Sequence, residues 1–233
     1  MKKVILSLTM FLAVVLNLSA QTADDIINKY ITAIGGTEKW AKVQSIKVEG
    51  QIEIQGLAIP FTVQGIQMKG MRMDAEFQGN KIIDITTPTK GWSQNPLMGK
   101  ANMEPISEEE LKVKLDELDF QDDFINYKEK GSKVELLGKE EEDGTEYNKI
   151  KMVTKNGNEK FYFFDMKTDL IYKEESIVKQ QGQEVKSSVK LLDYQMLDYG
   201  IKMAFKSDMG QMMMVTKKII INPVIDESIF KGN

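Results

Sequence analysis

The chain contains no histidine and no cysteine. Ser-His-Asp and Cys-His nucleophile systems are therefore excluded, as are zinc and haem sites built on imidazole or thiolate. What remains is carboxylate-pair chemistry, a Ser-Lys pair or an all-oxygen metal site. The candidates are Glu76 with Asp84, and the trio Asp119, Asp122 and Asp123. The trio lacks the central Gly and terminal Glu of a calcium loop, so a solvated acidic helix end describes it better. No pair stands out among 35 acidic residues, and solvated charge is the default for the rest. No cofactor and no metal are implied, and a carboxylate-dependent enzyme ranks third among the readings below.

The elements that must position any site begin with an export signal. Lys2 and Lys3 precede the apolar run Val4–Leu16, followed by Asn17, Leu18, Ser19 and the small residue Ala20. This is the layout of a secretory signal peptide, and the run is shorter than the ~20 residues of a membrane-spanning helix. Cleavage is expected after Ala20, which leaves 21–233 as a single domain outside the cytoplasm. Gln21 follows the cut rather than Cys, so lipoprotein-type lipid attachment is excluded. The formal charge is −4 before Lys2 and Lys3 leave, and such a protein has no electrostatic reason to seek nucleic acid. Without disulfides, stability must come from burial.

The most strongly patterned stretch is Glu159–Val178, EKFYFFDMKTDLIYKEESIV. Phe161, Tyr162, Phe163 and Phe164 form a strand with both faces covered. Asp165–Thr168 is a turn, and Leu170–Val178 returns as a half-exposed strand with Lys173 and Glu175 outward. Earlier, Thr22 and Asp25 form a capping box for a helix carrying Ala23, Ile26, Ile27, Tyr30, Ile31 and Ile34, ended by Gly35-Gly36. A short helix follows over Glu38–Val43, with Trp40 inward. From Ile46 the period changes to two: Ile46, Val48, Ile52 and Ile54 share a face, as do Ile59, Phe61 and Val63, then Met71, Met73, Ala75 and Phe77, then Ile83 and Ile85. Proline and glycine argue against regular structure over most of Thr87–Pro105, where Trp92, Leu97, Met98 and Met103 plug the core or form a lip. Ser107–Leu118 is a capped helix with Leu111, Leu115 and Leu118 on one stripe. Strands resume at Val134, with turns at Asp143-Gly144, Asn156-Gly157, Gln181-Gly182 and Tyr199-Gly200.

Roughly ten strands are too many for one flat open sheet, and three helical segments are available to cover a curled one. The expected fold is α+β: a strongly curved antiparallel sheet, an incomplete barrel, whose apolar concave face lies under a helical lid. Such a shell either fills with its own side chains or leaves a ligand cavity. There are 15 Met, several on strands (Met68, Met71, Met73, Met152, Met212, Met214), which suits a surface that accepts varied apolar partners.

The order and spacing of several motifs resemble the periplasmic lipoprotein carrier LolA and its outer-membrane lipoprotein-sorting relatives. They are Tyr30–Gly36, Met71–Asp74, Gly91-Trp92 to Asn95-Pro96, Phe161–Leu170, Asp193-Tyr194 to Asp198–Lys202, and Asn222-Pro223 to Asp226 with Ile229-Phe230. The resemblance covers nearly all of 21–233. It implies a hydrophobic cavity for lipoprotein acyl chains, an inner-membrane donor and an outer-membrane acceptor as partners, and a monomer. One departure is clear: where the carrier has an Arg-Pro pair, this chain has Lys69-Gly70, with its one arginine at Arg72. The cavity is expected to be lined by Phe61, Val63, Met71, Met73, Phe77, Ile85, Trp92, Leu111, Leu115, Phe161 and Phe163. A ligand-free β-domain serving as an envelope sensor or interaction module is the alternative.

Overall fold

The computed structural model describes residues 21–180 and 183–232, with the side chains of 178–185 left aside. The signal segment ending at Ala20 and the turn at Gln181-Gly182 lie outside the described residues. Thirteen strands form one antiparallel sheet. They are β1 (Ser45–Ile54), β2 (Leu57–Ile66), β3 (Gly70–Phe77), β4 (Asn80–Thr86), β5 (Gly91–Asn95), β6 (Lys100–Pro105), β7 (Lys133–Glu142), β8 (Thr145–Val153), β9 (Glu159–Asp165), β10 (Ile171–Gln180), β11 (Gln183–Met196), β12 (Lys202–Asp208) and β13 (Met212–Ile221). Two meanders, β1–β6 and β7–β13, are joined by one pairing of β1 with β13. The sheet stays open, with β6 and β7 at its edges. It has more strands than expected because Gly91–Asn95 and Lys100–Pro105 pair as β5 and β6. Pro96 and Pro105 are tolerated since one opens the intervening 3-10 turn and the other ends an edge strand.

Helix α1 (Ala23–Ala33) begins at the predicted capping box, in which Thr22 N donates to Asp25 Oδ2 at 3.0 Å and Asp25 N to Thr22 Oγ1 at 3.2 Å. Helix α2 (Thr37–Trp40) is a single turn with Trp40 buried and its indole N–H donating to the Ile34 carbonyl at 3.0 Å. Helix α3 (Glu108–Lys114) is capped by Ser107 and tightens into a 3-10 turn over Leu115–Leu118, so the predicted single helix is two shorter pieces.

The segment between β6 and β7 proves that the sheet is rolled. The Leu118 carbonyl accepts from Met68 N at 2.9 Å in the β2–β3 turn, while Asp116 Oδ2 accepts from Asn158 Nδ2 at 2.7 Å in the β8–β9 turn. In a flat sheet β2 and β9 would stand six strand spacings apart, roughly 29 Å. Two residues two positions apart cannot bridge that distance, so the strands curl until both turns meet the connecting segment.

The face under α1, here the inner face, is packed solid over one part. Ile26, Ile27, Tyr30 and Ile34 sit on Ile150, Tyr162, Phe164, Ile171 and Ile201, with Phe124, Ile125 and Tyr127 from the connecting segment filling the gaps. Phe124 is fully buried and meets Tyr30, Tyr127, Tyr162 and Phe164 edge-on at centroid distances of 4.7 to 6.5 Å. This is what the aromatic run of β9 is for: Tyr162 and Phe164 build the inner core, and Phe163 belongs to the outer face.

Candidate functional site

A second apolar cluster occupies the inner face of β13, β1, β2, β3 and β4. Its buried members are Ile59, Phe61 and Ala75; Val48, Ile52, Ile54, Val63, Met73, Phe77, Ile82 and Met214 pack around them, only partly buried. Every one of these residues lies on a strand. The register explains the assembly: Met214–Ile52–Ile59 form one row, and Val48–Val63–Met73 another. Gly50 stands opposite Phe61, and a Cβ there would lie 2.8 Å from the Phe61 ring, so the missing side chain lets the phenyl ring lie flat on the sheet. The result is an apolar wall continuous with the packed core, but with no helix residue among its members.

The charged groups of the trio are structural. Asp119 pairs with Lys130 at 2.7 Å and accepts from Gln67 Nε2 at 2.5 Å. Asp122 accepts from the Tyr30 hydroxyl at 2.5 Å and from Phe124 N at 2.9 Å, and burial pushes its carboxyl up to about 7. Asp123 accepts from Lys160 at 2.8 Å and from the Tyr162 hydroxyl. Each aspartate thus ties the connecting segment to a different element. Among the described residues no acidic group is arranged to hold a metal ion.

Of the residues expected in the cavity, Phe61, Val63, Met71, Met73 and Phe77 share the inner face. Leu115 lines a small cleft with Met68, Asp119 and Lys130, and Leu111 is partly buried on α3. The other four require correction. Ile85 pairs with Arg72 and Trp92, and all three point to the outer face, because Ile82 and Asp84 take the inner positions of β4. There the C-terminal segment covers them: Phe230 lies against Gly70 and Gly232 against the Trp92 ring. Phe161 and Phe163 also face outward, alternating with Tyr162 and Phe164. Lys149 and Lys173 cover Phe163 at 4.9 and 4.1 Å, and Glu142 fixes Lys173 at 2.7 Å and Lys190 at 2.8 Å. Lys173 and Glu175 are therefore well buried rather than solvated, since their side chains keep only 13% and 12% exposure.

Arg72 is a fastener on that outer face. Its guanidinium grips Asp74 through two bonds of 2.7 Å and donates to the Ile229 carbonyl at 3.1 Å, holding the C-terminal segment down. Ile52, Ile59 and Met214, members of the apolar wall, were readable as inward positions from period two, but nothing in the sequence set them apart from core.

No family model matches the chain, and no curated protein matches it in sequence. Solved structures do. A DUF1329 family protein from Desulfovibrio piger aligns over 91% of this chain and 98% of its own, at a TM-score of 0.57 and 11% identity. A LolA superfamily protein from Nitrosomonas europaea aligns over the same shares at 0.56 and 11%. A protein described as an outer membrane lipoprotein-sorting domain, from Vibrio parahaemolyticus, aligns over 88% and 94% at 0.53 and 12%. The chain has the LolA-like fold, a curved open sheet with helices across it. At such identities the likeness extends to the fold and no further.

Proposed function

We propose that this protein is a periplasmic carrier or chaperone, one domain from Gln21 onward, that shelters the acyl chain of a lipoprotein or a similar apolar ligand during outer-membrane lipoprotein sorting. The observation that carries the reading is the apolar wall of strand residues, most of them only partly buried, with no helix residue among its members. Water against such a wall is unfavourable, and an alkyl chain laid on it gains about 0.8 kcal/mol per CH₂ removed from water. Binding is the work of the site, with no bond made or broken. The fold of the Nitrosomonas and Vibrio proteins, the signal-like leader and the absence among the described residues of a helix long and apolar enough to cross a membrane are consistent with this assignment.

The test is uptake of Nile red and its displacement by lipid. The protein is expected to enhance the dye's fluorescence saturably, and Val63→Glu, which places a charge in the middle of the wall, to abolish the enhancement while leaving the circular dichroism spectrum intact. Native mass spectrometry of protein taken from its own envelope then gives the ligand's mass. Absence of both uptake and co-purifying lipid would leave the sensor or interaction module as the better account.

A further inference from the structure

The rolled sheet brings a second kind of surface to face the apolar wall. On the inner side of β9, β10 and β11 the register sets Lys160 opposite Ser176, Glu174 opposite Tyr162, and Ser187 opposite Ser176. Lys160 pairs with Asp123 at 2.8 Å and Glu174 at 3.5 Å. Burial works against the Lys160 charge, but the Asp123 and Glu174 carboxylates outweigh it and hold the ammonium above the usual lysine range. Its side chain nevertheless keeps 18% exposure and that of Glu174 29%. These paired charges are therefore only partly shielded from solvent on the inner side of the sheet.

Glu117, on the 3-10 turn that crosses the opening, lies between the two surfaces. The residue is exposed, and the protein packed around its carboxyl raises it only against that solvent, while Lys114 and Lys160 favour its charge and Asp84 and Asp116 oppose it. Asp84 is on the inner face of β4, opposite Met73 of the apolar wall. The ion pairs of Lys160 go to Asp123 and Glu174, which leaves Glu117 without an ion pair among the described residues. Counting the groups that face this space, Asp84, Glu117, Asp123 and Glu174 stand against Lys160 and Lys114. The space is apolar on one side and carries net negative charge on the other.

We propose that this space sorts amphiphiles by head group: a chain with a neutral or cationic head is accepted beside the apolar wall, and the same chain ending in a carboxylate is rejected. This rests on the reading of the wall as an acyl site and adds what the ligand's other end must be. A carboxylate brought among Asp84, Glu117 and Glu174 meets like charge, least screened by water beside the half-buried Asp84 and Glu174 and most screened beside the exposed Glu117. An amide N–H or a hydroxyl donates to these carboxylates, and an ammonium pairs with their charge. The chemistry selects an acylated, uncharged or positively charged molecule over a free fatty acid.

Displacement of Nile red at mildly alkaline pH by palmitate, 1-palmitoylglycerol and hexadecyltrimethylammonium, each below its micelle concentration, tests this. Palmitate is expected to compete at least about tenfold more weakly than the other two, the penalty of a few ångströms between like charges. Asp84→Asn combined with Glu117→Gln is expected to narrow that gap without touching the Lys160 pairs. Glu174→Gln narrows it independently, with Asp123 still holding Lys160. Equal competition by the three, or tighter competition by palmitate, overturns the head-group rule while the acyl site stands. Displacement by none of them overturns the acyl site itself.

Discussion

The inner face of the sheet has two parts made of similar residues with different fates. Under α1, Tyr162, Phe164 and Ile150 meet Tyr30, Phe124 and Ile27, and all are buried. Over β13 to β4, Val63, Met73, Phe77 and Met214 pack on strand residues and stay only partly buried. The first part gains its full transfer free energy on folding; the second leaves some of it uncollected until another apolar surface arrives. Helix α1 and residues 120–127 bury one region and contribute no member to the other, and this distribution of cover, rather than hydrophobicity itself, separates the core from the half-buried wall.

The sharpest way to break the comparison is truncation on each side. Phe124→Ala is expected to cost about 3–5 kcal/mol, read from urea or guanidinium denaturation, because four aromatic rings would border the void. Met73→Ala is expected to cost clearly less, roughly 1 kcal/mol, because the side chain is already partly wet, and to weaken Nile red uptake. Equal costs would mean that the second region is packed core. Next in size is Tyr30→Phe, which leaves Asp122 without its hydroxyl partner and is expected to cost about 1–3 kcal/mol.

A pH series sharpens the comparison on the covered side. The Asp122 carboxyl titrates near 7 when folded, and burial raises Glu174 as well. Carboxyls raised in this way bind protons more tightly folded than unfolded, so their stabilising contribution is full below about pH 4 and is lost as pH rises toward the folded value. The denaturation midpoint is expected to fall between about pH 4.5 and 7.5, and to fall less steeply in Asp122→Asn. Asp24 and Glu142, lowered mainly by hydrogen bonds from lysines, act in the opposite sense and only at more acid pH. The smallest expected effect is Arg72→Ala, at about 1 kcal/mol or less, since the Arg72–Asp74 pair is partly exposed.

Much of this was legible in the residues. The capping box at Thr22 and Asp25, the strict alternation of Met71 to Phe77 and the aromatic run of β9 each declared an element, and the first two declared a face. What failed were choices of side in strands where a charged residue faces inward or an apolar one faces outward. In β4, period two set Ile83 and Ile85 inward and Asp84 outward, but the pairing of Met73 with Asp84 and Ala75 with Ile82 turns the strand the other way. Phe161 and Phe163 looked inward because the lysines that cover them come from other strands. The charged side of the interior was invisible for a similar reason. Lys160, Glu174, Asp84 and Glu117 lie on four separate elements, and only the rolling of the sheet gathers them.

The pairing of β1 with β13 has a consequence for how the molecule is made. Ile46 lies beside Ile221 and Ile54 beside Met212, so the earliest strand of the sheet, paired on one side with β2, finds its second partner only when the last has been synthesised. Each meander contains mostly short-range contacts, but the seam between them closes a loop of nearly the whole polypeptide, and loop closure of that length slows assembly. Until it closes, a nascent chain presents two half-sheets whose β1 and β13 edges are bare, a state exposed to aggregation.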